Sequence, residues 1–187
     1  MAGSVVEICN NALIRIGSKT ITSLSDGDKV ANACSLVYEQ ARNLLFRQHL
    51  WNFAIKRATL ASETDAPAFG FSYSYPLPSD FVRVKDLDDS AIVYKIENNR
   101  LLTDSESVNL TYVSRVEDVT KFDALFTEAL ILSLAIKVGF VLNGSNAREQ
   151  ALKDEYQKVL FLAKQVDGQD DTTDALEADY FLNAKYY

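Results

Sequence analysis

The sequence predicts a mainly α protein: a bundle of about four helices, a small antiparallel β-sheet inserted between them, and an extended C-terminal tail. Three observations predict it. Apolar residues recur at helical spacing near both ends of the 187-residue chain. Between residues 51 and 116 the period falls to two, as in strands. From Asp167 the composition turns acidic and then aromatic. A chain of this length fits one domain, and it can bury roughly 70% of its unfolded surface without disulfide or metal staples.

The first helix is expected over 4–17. Ser4 and Glu7 form a capping box, Gly17 stands where a helix C-terminal glycine belongs, and Val5, Cys9, Ala12, Leu13 and Ile16 share a face. The second is expected over 25–49, with Val30, Cys34, Val37, Ala41, Leu44 and Gln48 as its packing stripe. The β insertion follows over 51–116. "WNFAIKRAT" and "FGFSYSY" alternate, "DFVRVKDL" and "AIVYKIENNRLLT" resume extended chain around an Asn98-Asn99 turn, and "SVNLTYVSRV" supplies a last strand. In "FGFSYSYPLPSD" every aromatic falls on one face, which suits a sheet packed on a core. Pro76 and Pro78 end that strand and fix Leu77 in an exposed, rigid segment. The third helix, 120–142, is apolar nearly all round and belongs at the centre of the bundle. The fourth, 146–166, buries Leu152, Tyr156, Val159, Ala163 and Val166. Residues 167–187 form the tail.

Chemistry-bearing motifs are sparse. The formal net charge of -7 opposes general affinity for nucleic-acid phosphates. Cys9 and Cys34 fall on buried helix faces as core thiols. His49 is the lone histidine, and neither cysteine is placed as its nucleophilic partner. The acidic groups at Asp86, Asp88, Asp89 and at Asp170, Asp171, Asp174 are solvated carboxylates. "GSKT" at 17–20 lacks the strand and first glycine of a phosphate loop. No catalytic residue, cofactor or metal is expected. The N-terminus does not read as a signal peptide, and the apolar stretch 124–142, interrupted by Glu128 and Lys137, reads as a packed helix rather than a membrane span. Arg42, Arg47, Lys56 and Arg57, interleaved with Trp51 and Phe53, form either an anion-contacting patch or ordinary solvated charge.

Four stretches taken in order carry a resemblance: "ALIRIGSKTITSLSDGDKVANAC", "RNLLFRQHLWNFA", "YPLPSDFVRV" and "YVSRVEDVTKFDALFTEALILSLAIKVGFVLNGS". Together, over residues 4–165, they resemble the tail tubular protein A family, the head-to-tail adaptors of short-tailed bacteriophages. The resemblance implies an adaptor domain over 1–166 in a virion, assembled in the host cytoplasm as a ring of twelve copies. It implies the portal protein above, a tail nozzle below, genomic DNA passing through without sequence-specific binding, no catalysis and no membrane. Under it, Val37, Ala41, Leu77 and Pro78 are expected at subunit or nozzle contacts. The tail is expected to reach the portal or a neighbouring subunit through Tyr180, Phe181, Leu182, Tyr186 and Tyr187. A small helical DNA-binding or regulatory protein is the alternative, and Arg42 and Arg47 are its support.

Overall fold

The structure, a computed structural model, describes residues 3–143 and 147–170. Its four helices are α1 (Val5–Arg15), α2 (Lys29–Gln48), α3 (Ala124–Asn143) and α4 (Ala147–Gln169). Six strands lie between α2 and α3: β1 (Ile55–Leu60), β2 (Tyr73–Pro76), β3 (Phe81–Leu87), β4 (Tyr94–Glu97), β5 (Arg100–Thr103) and β6 (Val108–Ser114). They form two antiparallel sheets, ordered β1-β6-β3 and β2-β5-β4. Helices take 48% and strands 20% of the structure, so the fold is mixed α and β. This corrects the expected bundle with a minor sheet. Two three-stranded sheets enclose apolar side chains of their own, which one small sheet lying on helices would not do.

The helix ends follow capping chemistry. The Ser4 hydroxyl accepts from the Glu7 amide at 3.1 Å. Gly17, at φ +72°, closes α1 with the Ser18 amide on the Leu13 carbonyl, a position that favours glycine. Asp28 caps α2, accepting from the Ala31 amide at 2.8 Å. The loop between them is pinned because the Asn10 side chain both donates to and accepts from the Ile21 backbone. Asp123 caps α3 through the Leu125 and Phe126 amides. Near the end of the chain, α4 runs to Gln169, past the expected boundary at 166.

α3 packs against α1, α2 and α4, and Phe126, Leu130, Leu134 and Val138 are fully buried. Residues 124–142 are long and apolar enough to cross a membrane, and half of that stretch is buried among the other helices. An aromatic group seals the base of this core. The Phe46 and Phe126 rings stack at 4.9 Å, Trp51 meets Phe126 edge-on at 5.1 Å, and Phe53 and Phe122 complete the group. Trp51 does not begin a strand as expected. A 3-10 turn over Asn52–Ala54 intervenes, and the Trp51 indole donates to the Leu45 carbonyl at 2.8 Å.

The second core lies between the sheets. Tyr75, Leu77 and Leu101 come from one side, and Leu87, Val108, Leu110 and Tyr112 from the other. β6 joins both cores: Tyr112 faces the sheets' core while Val113 enters the helical one. The aromatic run is only partly strand. Gly70, at φ +91°, breaks it, Phe69 is 89% exposed, and only Tyr73–Pro76 pair with β5. Asn98 and Asn99 make the expected turn, both at positive φ.

Candidate functional site

The four basic residues at the end of α2 do not form a patch. Arg42 is 6% exposed. Its guanidinium carbon lies 5.7 Å from the Tyr38 ring centroid, and its Nε donates to the Asn43 side chain at 3.3 Å. Arg47 donates to the Val82 carbonyl at 2.6 Å while Arg83 donates to the Arg47 carbonyl, stitching α2 to β3. Lys56 pairs with Asp80 at 2.5 Å. Arg57 alone of the four carries neither an ion pair nor a hydrogen bond from its side chain among the described residues. Sequence spacing brought these side chains together, and burial and backbone acceptors then separated them.

The expected contact residues have mixed placements. Val37 is half-buried, and Ala41 is fully buried within its own chain. Leu77 is not exposed. Its amide continues the β2 ladder to the Asn99 carbonyl at 3.1 Å, so the side chain alternates inward beside Tyr75 and is 6% exposed. Pro78 is half-buried and opens the tight turn to Phe81. Tyr180, Phe181, Leu182, Tyr186 and Tyr187 lie outside the described residues.

Uncovered apolar surface falls elsewhere on the helices. Leu36 on α2 is 79% exposed and Phe161 on α4 65%; Leu44 and Leu162 are also exposed. The stripe of α2 is rotated from its expected setting. Tyr38, Arg42, Leu45 and Phe46 turn inward with Cys34 and Ala41, leaving Leu44 and Gln48 outside. Between α2, α3 and α4 runs an open groove of about 400 Å³, bounded by Ala41, Leu44, Ile136, Lys137 and Tyr156. The Tyr156 hydroxyl donates to Gln48 at 3.2 Å.

His49 works as a joint. Its Nε2 lies 2.9 Å from Asp167 Oδ2, while Asp167 Oδ1 accepts from the Asn52 amide at 3.0 Å. The Asn52 side chain donates to the Asp167 carbonyl, tying the last turn of α4 to the start of the sheets. Asp167 is therefore helical, not the first residue of a tail. Cys9 and Cys34 are buried free thiols. A hydrogen bond to Cys34, reinforced by burial, pushes the Cys9 thiol up, and the same bond lowers Cys34. Burial drives the Tyr38 hydroxyl up to about 12. No group of three His, Cys, Asp or Glu side chains that could hold a metal occurs among the described residues.

No protein-family model matches the sequence, and no curated protein matches it. The features that sequence reasoning missed are the inward setting of Tyr38 and Arg42 and the exposure of Leu36. Tyr38 and Arg42 stand four residues apart in phase with Cys34 and Leu45, and that spacing was their available signal.

Proposed function

We propose that the chain is a structural head-to-tail adaptor of a short-tailed phage particle, a ring of twelve copies joining a portal to a tail nozzle. The single observation that carries the reading is the set of large apolar side chains left uncovered on α2 and α4, at Leu36, Leu44, Phe161 and Leu162. Exposed apolar side chains of this size offer area for a protein contact. The ordered pattern of residues 4–165 selects the adaptor among such proteins. The net charge of -7 suits a conduit, since like charge keeps phosphates from sticking as DNA passes.

The regulatory DNA-binding alternative rested on Arg42 and Arg47. Arg42 is buried and the Arg47 guanidinium is held by the Val82 carbonyl, which weakens that support. Portal and nozzle are the partners, and the virion's portal vertex is the place of action. The test is light scattering and electron microscopy of the purified chain, alone and with portal rings. Rings that form or dock on the portal support the reading. A chain that stays monomeric and ignores the portal at all concentrations refutes it.

A further inference from the structure

The open groove of about 400 Å³ between α2, α3 and α4 brings Ala41, Leu44, Ile136 and Tyr156 together with Lys137 and Lys153. Leu44 is 47% exposed, and Ile136 and Tyr156 are half-buried, so apolar surface here still meets water. Lys153 is held by Glu149 at 2.6 Å. Lys137 is half-buried and makes no ion pair or hydrogen bond among the described residues. An occupant that suits this lining is apolar or aromatic and carries a carboxylate, because burial of a cation is favourable only when it is paired.

The chain carries such a segment within reach. Residues 171–187 lie outside the described residues, follow directly on α4, and set Glu177 and Asp179 just before Tyr180, Phe181 and Leu182. Their starting point is fixed beside the groove. Asp167, in the last turn of α4, is bonded to His49 and to the Asn52 amide. Gln48, the residue before His49, lines the groove and accepts from Tyr156. From Tyr156 to Gln169 the helix rises about 20 Å, and the chain from Gln169 to Tyr180 spans up to about 35 Å. A tether of this length holds a segment at an effective concentration on the order of millimolar beside its own groove, which a second copy in dilute solution does not match. We infer that the groove is the docking site of the chain's own C-terminal segment. Tyr180, Phe181 and Leu182 cover Leu44 and Ile136, and a carboxylate of Glu177 or Asp179 meets Lys137. The inference does not depend on the ring reading, because Leu36, Phe161 and Leu162 lie outside the groove's lining and stay available to a second copy.

The test uses the full chain, dilute, with leucine and isoleucine methyl groups labelled for NMR. Nuclear Overhauser cross-peaks from the Phe181 ring to the Leu44 and Ile136 methyls are expected. They should be missing from a mixture of labelled and unlabelled chains filtered to show contacts between copies alone. Leu44→Glu, at an exposed position, should abolish the cross-peaks while α3 amides keep their protection from exchange. Lys137→Glu should speed amide exchange over 177–187 about 2- to 5-fold, the scale of a solvent-exposed ion pair. Cross-peaks found only between copies give the groove to a neighbouring copy. Protection over 180–187 that appears only after portal rings are added gives the segment to the portal. Either result overturns the inference, as does the absence of the cross-peaks or their persistence in Leu44→Glu, and unchanged exchange in Lys137→Glu overturns the assigned ion pair.

Discussion

The helical core and the core between the sheets are built on different physics. In the helical core, Phe46, Trp51, Phe122 and Phe126 are enclosed with Leu130, Leu134 and Val138, and non-directional apolar burial dominates. The smaller core gathers seven buried side chains, two of them tyrosines, and leans on polar clasps at its edges. The Tyr75 hydroxyl donates to the Ser105 carbonyl, and Tyr112 donates to Asp80, which also holds Lys56. Glu63 accepts from both Ser74 and Arg100. One region is closed by area and the other by directed bonds around a small apolar centre. The two should therefore respond differently to cavities, to acid and to surface change.

The largest effect should come from the helical core. Phe126→Ala removes the ring that touches Phe46, Trp51, Phe53 and Phe122, and should cost about 3–5 kcal/mol in a denaturant melt. Next, Leu101→Ala opens the sheets' core and should cost about 2–4 kcal/mol. If the regions are separable, hydrogen exchange will quicken over 73–103 and 108–112 while α3 amides keep their protection. Equal loss in both would show one cooperative unit and break the distinction.

The joint between the regions comes third. Asp167→Ala leaves the Asn52 amide and His49 without their shared acceptor, and should cost about 1–3 kcal/mol. Faster exchange should appear at the end of α4 and around residues 49–54. No change there would place the load elsewhere.

Acid should separate the regions further. Burial works against the charged form of Asp80, but hydrogen bonds from Lys56 and Tyr112 outweigh it and hold the carboxyl low. Hydrogen bonds from Arg100 and Ser74 hold Glu63 low as well. Both carboxyls titrate lower folded than unfolded. Their contribution is thus complete above the unfolded values of about 3.9 and 4.3, and it is lost as pH falls through the folded ones. NMR below pH 4 should show the sheet resonances broadening before those of α3. The reverse order would overturn the assignment of polar clasps to the sheet region. The smallest stability effect should come from Leu36→Gln and Phe161→Gln, each within about 0.5 kcal/mol of wild type in the free chain. If the proposed ring forms, it should weaken in these variants, and an unaffected ring would remove those side chains from the interface.

Much of the helical half was legible because capping and period are local. Ser4, Gly17 and the all-round apolar stretch 124–142 each report on their own neighbourhood, and α1 and α3 fall within a few residues of where they were expected. The sheets were less legible. Pairing β1 with β6 across some fifty residues, and dividing six strands between two sheets, depends on which apolar faces meet in space. Leu77 shows the difference. Two flanking prolines read locally as a rigid exposed loop, yet one backbone bond to Asn99 turns the side chain into a core.

By itself the sequence determined the helices, the turn at Asn98-Asn99, the acidic balance and the central place of α3, because those depend on residues near in the chain or on composition. Tertiary structure decided the second core, the dispersal of the basic residues and the rotation of α2 that buries Tyr38 and Arg42. A helical stripe is wide enough to be set at more than one angle, and only the neighbours that close around it select which side chains lose their water.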